Sequence, residues 1–491
     1  FWQIDGIIDN GNGTSTLLLD EPAQPDPSWG MPDASSEFAI SDLSPNFFTD
    51  ESQQVDTITV FNDASVRDDI ASMSEDSLSG LGMGGDINYA NAEVLDVYLG
   101  SGEDSVDVTG SMSRNDFRTV TMLSTGSGDD EVGVVLDAGV DGLFSVNLGA
   151  GVDDLDASTS TLGIVAFGGE DNDTLLGSQG SDAIFGDKGR VDYYNAAGDL
   201  VTRLGIGLAE QSTNPADETF VPAQQTDGGF DQRRQLATRE PGNGGSDTID
   251  GFTGNDVIFG GAARDTITAH FGGKIIFGDN GQANLNGASN DVFSTFPTIG
   301  GNDTIIGGSD AVGNIMIGGA GNDDLDGGTG NDVILGDGGY VARDATSTVT
   351  QVFTIDPATG GMDTIDGGAG TDVIMGGAAD DTITANLGGK IILGDNGQAN
   401  LAGPDRNVFS TDPGIGGVDT IIGGADGVGN IIIGGALGDF LTGGSGDDVM
   451  LGDSGLVERE ADGSLVRVSS IDPGTGGDDS IEGGAGFDVI I

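Results

Sequence analysis

Gly318-Gly319-Ala320-Gly321-Asn322-Asp323-Asp324-Leu325-Asp326 is followed without a break by Gly327-Gly328-Thr329-Gly330-Asn331-Asp332-Val333-Ile334-Leu335. Each nonapeptide is a glycine-rich turn ending in aspartate, then a large aliphatic between two flanking residues. Such a unit is half a coil of a solenoid. The glycines permit φ > 0 and let carbonyls turn inward. The aliphatics Ile258, Leu325, Ile334 and Ile374 point between two stacked sheets, and two nonapeptides complete one coil with a turn on each side. Successive turns on one side then lie about 4.8 Å apart, one strand spacing. At that distance carbonyls and an aspartate from neighbouring turns can surround Ca²⁺, a hard cation that takes roughly six to eight oxygens.

From Gly244 onward the chain also repeats every 116 residues: Asp247, Asp363 and Asp479 share one slot. Aligning the sixth position of each nonapeptide gives Asp173, Asp182, Asp247, Asp256, Asp265, Lys274, Asp303, Asn314, Asp323 and Asp332. It continues through Asp363, Asp372, Asp381, Lys390, Asp419, Asn430, Asp439, Asp448, Asp479 and Asp488. The aspartates in this series are candidate calcium ligands. So are Asp187, Asp279, Asp337, Asp395 and Asp453, each in a Gly-Asp-x-Gly tetrapeptide that opens an excursion from the repeat (188–242, 280–300, 338–360, 396–416 and 454–476).

If each excursion sits within one turn, the slots segregate to two sides. The first side carries Asp173, Asp247, Asp265, Asp303, Asp323, Asp363, Asp381, Asp419, Asp439 and Asp479, and predicts a near-continuous calcium ladder. On the second, sites are expected between Asp182 and Asp256, Asp332 and Asp372, and Asp448 and Asp488. Lys274 and Lys390 either place an ammonium where a cation would have been or are solvated lysines in a degenerate turn. All five excursions are expected to leave from the first side and to project as hairpins about every 10 Å, two coils apart. The last, with Asp462-Gly463 between two alternating runs, reads as a hairpin outright. Tolerated loop insertions and a contact role, lateral or self-associating, are both open readings of these hairpins.

Composition supports a cation-loaded chain. The 491 residues carry 81 acids against 16 bases, a formal charge of −65, and 67 of the acids are Asp. Short carboxylates suit tight turns, where they reach metal or nearby backbone. With only Lys188, Lys274 and Lys390 as lysines, neither nucleic acid nor an anionic membrane is a plausible partner. Such charge opposes compaction unless counter-ions bind. There is no Cys, which excludes disulfides and thiolate sites, and no apolar run reaches the ~18–20 residues of a membrane helix.

Upstream, residues 1–95 read only as a β-rich segment of short strands. Between about 96 and 167 the turns Gly102-Glu103-Asp104, Gly128-Asp129-Asp130 and Gly151-Val152-Asp153 recur at spacings of 26 and 23, suggesting a wider β-solenoid that feeds its sheets into the nonapeptide region. The chain starts at Phe1 without a signal peptide and stops at Ile491 on a full-strength repeat, whereas solenoids need polar caps; the expectation is a segment of a longer protein.

Residues 168–491 resemble the hemolysin-type calcium-binding (RTX) repeat family. Perfect hexapeptides stand at Gly318–Asp323, Gly327–Asp332, Gly367–Asp372, Gly443–Asp448 and Gly483–Asp488. The resemblance implies a parallel β-roll that folds on binding multiple calcium ions outside the cell, often after type I secretion, without implying an activity. The expected fold class is therefore all-β: an elongated parallel β-solenoid, an RTX β-roll with periodic hairpin insertions, preceded by the wider solenoid. The expected function is an extracellular, calcium-stabilised structural protein, a surface-layer, filament or adhesin segment. The alternative is a secretion and folding module of an RTX enzyme, or of a polysaccharide-modifying β-helix enzyme, whose catalytic part lies elsewhere.

No enzyme is expected within this sequence. Gly452-Asp453-Ser454-Gly455 resembles a serine-protease box, but its period-mates read Gly-Asp-Gly-Gly and Gly-Asp-Asn-Gly. The single histidine, His270, has Asn386 as its period-mate, and one histidine cannot make an HExxH zinc site.

Overall fold

The computed structural model describes residues 3–9, 15–20, 56–114, 119–195, 197–198, 200–205, 234–287 and 290–491. The chain divides into two units, Phe1–Asp50 and Glu51–Ile491. In the first, Gln3–Asp9 and Ser15–Asp20 form an antiparallel pair. The second unit is all-β, without a helix among the described residues, so no helix there is long and apolar enough to cross a membrane.

Two long sheets form the roll. A 15-stranded sheet runs parallel from Thr57–Phe61 to Val489–Ile490, and will be called the central sheet. Facing it, a 16-stranded sheet runs parallel from Ile70–Met73 to Ser480–Glu482, with two short antiparallel strands added at its N-terminal edge; we call it the ladder sheet. Consecutive nonapeptides alternate between them, as the sequence predicts: Thr174–Leu176 enters the ladder sheet and Ala183–Phe185 the central sheet. Except in the last coil, the middle residue of each triplet, such as Leu175, Ile184, Ile258 or Leu325, is fully buried between the sheets. The parallel coils reach back to Thr57, well before the start at 96 suggested by turn spacing.

The described strands of the excursions do not project. They fold back over the central sheet and pair with one another into a third, antiparallel sheet of 11 strands, the cover sheet. Arg234–Thr238 of the first excursion pairs with Gly281–Leu285 of the second, Val292–Ser294 with Gly339–Arg343, Val349–Thr354 with Gly397–Asn400, and Val408–Ser410 with Gly455–Arg459. A second apolar layer results, in which Val191, Leu236, Ala283, Val341, Val352, Ala399 and Val457 of the cover sheet pack on Phe185, Phe259, Phe277, Leu335 and Leu393 of the central sheet. The physical reason is visible along the strands. Central-sheet triplets such as Val257–Phe259 are buried at all three positions, whereas ladder-sheet triplets such as Thr248–Asp250 bury only the middle one. A strand apolar on both faces must be covered on both.

Gly-Asp-x-Gly is the hinge of this fold-back. A Cβ on its last glycine would fall on the side chain that has just left the central sheet, 2.1 Å from the Phe185 ring at Gly189 and 2.2 Å from Phe277 at Gly281. Only glycine lets the chain double back so closely. Between the sheets, Phe167, Phe185, Phe259 and Phe277 stack with centroids 4.6–5.0 Å apart. Phe259→Ala is expected to cost about 3–5 kcal/mol, as large-to-small core changes do. The loss should appear as faster hydrogen exchange in Arg234–Thr238 and Gly281–Leu285 before the ladder sheet is affected.

Candidate metal centre

The two sides inferred from slot parity are realised as two rows of turns, one entering the ladder sheet and one entering the central sheet. In the first row, the amide of each slot residue donates to Oδ1 of the aspartate in the next coil. The series runs Asp173 to Asp247, Asp265, Asp303, Asp323, Asp363, Asp381, Asp419, Asp439 and Asp479, at 2.8–3.0 Å. Every carboxylate is thus held by one oxygen. The other, Oδ2, is buried without a partner at Asp173, Asp247, Asp265, Asp303, Asp323, Asp363, Asp381, Asp419 and Asp439. Buried polar atoms are almost always satisfied, so this row requires something that the polypeptide does not supply.

Space is kept for it. A Cβ on Gly318, the first glycine of its nonapeptide, would sit 2.4 Å from Asp323 Oδ2 and 2.2 Å from the Gly336 carbonyl of the next coil. Gly260 stands in the same relation to Asp265 Oδ2 and the Gly278 carbonyl. Among the described residues no three acidic or imidazole side chains converge on a point, so carbonyls must complete any coordination shell. An Asp oxygen with glycine carbonyls is the donor set of a hard, oxygen-seeking cation.

The electrostatics agree. Burial, reinforced by neighbouring carboxylates, pushes Asp173 up to about 9, Asp265 to about 10 and Asp381 to about 11. Burial likewise lifts Asp419 to about 9 and Asp323 to about 8. Burial, reinforced by the charge of Asp303, lifts Asp279 to about 10, and burial lifts Asp303 to about 7. Arg264 lowers Asp303, but burial outweighs it there, as it does at Asp265 and Asp381.

The aspartates of Gly-Asp-x-Gly are placed differently. Asp279 Oδ1 accepts from Gly301 N–H at 2.8 Å, and its Oδ2 accepts from Ala320 N–H. Asp187, Asp337 and Asp395 make the same two bonds to the end of their excursion and to the following coil, and Asp453 bonds Gly477 N–H at 2.9 Å. They staple the excursions shut, while their charge adds to the ladder: after burial, Asp395 is the neighbour that most raises Asp419.

The second row is mostly self-satisfied. Lys274 and Lys390 are not solvated; both side chains are completely buried. Lys390 Nζ donates to Asp372 Oδ2 and to the carbonyls of Leu387 (2.6 Å), Gly370 (2.7 Å) and Gly368 (3.2 Å). Lys274 Nζ does likewise with Asp256 Oδ2, Gly254 O (2.8 Å) and Phe252 O (3.3 Å). Each ammonium fills a cradle of carbonyls and one carboxylate. The pair Asp182 and Asp256 differs from expectation: Asp182 Oδ2 accepts from Ser178 N–H and its Oδ1 from the Ser178 hydroxyl, both at 2.7 Å, while Asp256 is taken by Lys274. Free buried oxygens remain at Asp332 and Asp448, facing the rungs of Asp372 and Asp488. His270 lies half-exposed, 3.1 Å from Asp250.

Sequence reading missed four members of the first row. Asp69, Asp104, Asp130 and Asp153 continue the amide-to-Oδ1 series upstream to Asp173, at 2.7–2.9 Å. The signal was present as Gly100-x-Gly102-x-Asp104, Gly126-x-Gly128-x-Asp130 and Gly149-x-Gly151-x-Asp153, the core of the hexapeptide on a longer coil.

A family model described as RTX calcium-binding nonapeptide repeat (4 copies) matches residues 165–190, 241–273, 313–340, 357–389, 426–455 and 473–491. No curated protein matches the chain.

Proposed function

Residues 165–491 belong to the RTX calcium-binding repeat family, and from that premise we propose that this chain is an extracellular structural protein, a surface-layer, filament or adhesin segment made rigid by a row of calcium ions. The ions would be held by the free Oδ2 atoms from Asp173 to Asp439, with further positions at Asp332 and Asp448. Calcium supplies positive charge among carboxylates that the fold buries and cannot otherwise neutralise. The chain does the rest. Oδ1 of each rung is fixed by the preceding amide, so only Oδ2 is left to bind, and the glycine at the start of each nonapeptide keeps a side chain out of that space. The reading assigns the chain no catalytic role.

The observation that carries the structural reading is the cover sheet. A secretion module needs only calcium-triggered folding, whereas here successive insertions are hydrogen-bonded into a continuous sheet that ties coil to coil on a second face. Electron microscopy of the protein in millimolar calcium tests the reading. Ordered fibres, sheets or lattices are expected. Dispersed monomers at all calcium concentrations would favour the secretion-module alternative.

A further inference from the structure

We propose that the cation row does not stop where the RTX repeats stop, and that the Gly-x-Gly-x-Asp turns ending in Asp104, Asp130 and Asp153 bind hard divalent cations of the calcium class. These residues lie upstream of the family match, which begins at residue 165. Only the identity of the ion rests on the ladder reading.

Three observations converge on these turns. Asp104, Asp130 and Asp153 are 2%, 2% and 1% exposed. In each, Oδ1 accepts the amide of the preceding rung while Oδ2 is buried without a partner, the arrangement found at Asp323 and Asp381. Among the described residues, none of the three makes an ion pair. Secondly, the glycine columns that turn backbone carbonyls along the stack continue through this region. A Cβ on Gly128 would lie 1.9 Å from the Gly102 carbonyl, and one on Gly151 1.9 Å from that of Gly128, just as one on Gly321 would lie 1.8 Å from that of Gly301.

The third observation concerns the residue five places before the aspartate. In uninterrupted nonapeptides such as those of Asp173, Asp265, Asp323, Asp381 and Asp439 it is glycine; here it is Leu99, Thr125 or Leu148. The Thr125 hydroxyl donates to the Leu148 carbonyl at 2.6 Å, and as a hydrogen-bonding neighbour it lowers the Asp130 carboxyl against the larger effect of burial. The Asp130 rung, with hydroxyl, carboxylate and glycine carbonyls, is the richest of the three. The Asp104 and Asp153 rungs must rely on carboxylate and carbonyls beside a leucine, and should bind more weakly.

Asp→Asn is a mild probe, because the chain itself uses Asn314 and Asn430 in the equivalent slots of the second row, where Oδ1 still accepts the amide of the preceding rung. Native mass spectrometry of the full chain in calcium, comparing wild type with D104N/D130N/D153N, should show a loss of about three ions per chain. Hydrogen exchange of Ser105–Val108 and Glu131–Val134 should be slowed by calcium in wild type and insensitive to it in the variant, with Thr364–Asp366 protected in both. Equal ion counts in the two proteins, with the variant folded by this criterion, overturn the proposal. Wild type that binds no calcium at all overturns instead the ladder reading on which the ion's identity rests.

Discussion

Stripped of calcium at pH 7.5, residues 165–491 are expected to lose most of their β circular dichroism, and lowering the pH to about 5 without metal is expected to restore a large part of it. The first half follows from charge. A row of buried carboxylates, on a chain carrying −65 overall, cannot remain ionised without counter-ions. The second half follows from linkage. Burial raises the folded-state carboxyls to about 7 at Asp247 and Asp439, about 9 at Asp173 and about 11 at Asp381, from an ordinary value of 3.8. Between these limits the folded chain holds protons that the unfolded chain has released, so stability falls as pH rises. The contribution is complete below about 4 and is lost progressively as pH passes through 7 and beyond. A pH near 5 lies above the isoelectric point of 4.1, which separates refolding from precipitation. Chelation that leaves the spectrum unchanged at pH 7.5 would mean that the aspartates are not ligands. Unfolding by chelation with no recovery on acidification would mean that protons cannot stand in for the ions.

The second large effect concerns the buried lysines. Lys390→Met leaves Asp372 fully buried with its partner gone, and breaking a buried pair on one side typically costs about 3–5 kcal/mol. Yet the cradle of Leu387, Gly370 and Gly368 carbonyls persists around that carboxylate. Lys390→Met should therefore be destabilised in chelator and rescued by calcium, measured as exchange of the Ile391–Asp395 amides; Lys274→Met should behave alike around Ile275–Phe277. A loss below about 1 kcal/mol, as for exposed ion pairs, would show that the ammonium does not replace a cation.

The distribution of legible and illegible features has physical causes. The register of the nonapeptides and the segregation of Asp323 from Asp332 follow from counting, because a coil of fixed length fixes which side each turn occupies. The cover sheet was equally present in the letters, in Val257-Ile258-Phe259 against Thr248-Ile249-Asp250, but recognising it requires comparing the flanks of alternate triplets, whereas the aliphatic at the centre is the same in both. The upstream rungs were obscured by coil length, since Gly126-x-Gly128-x-Asp130 recurs at spacings set by longer strands such as Val120–Ser127. The Asp182 turn was illegible for another reason: only coordinates show that the Ser178 amide and hydroxyl have already taken its oxygens.

The cover sheet also has a consequence for how such a chain can change over generations. Its hairpins alternate between two kinds, and each bonds to one of the other kind. Arg343 Nε reaches the Asn290 carbonyl at 2.5 Å where Val292–Ser294 meets Gly339–Arg343, and Arg459 Nε reaches the Arg406 carbonyl at 2.7 Å where Val408–Ser410 meets Gly455–Arg459. A plain solenoid can gain or lose a single coil, because each coil meets only its neighbours. Here, removing one coil would shift every later hairpin out of reach of its mate, and removing one hairpin with its coils would set like against like. Duplication and deletion therefore preserve both sheets only in whole units of two hairpins, and the uninterrupted 116-residue spacing of Asp247, Asp363 and Asp479 is the record of that quantum.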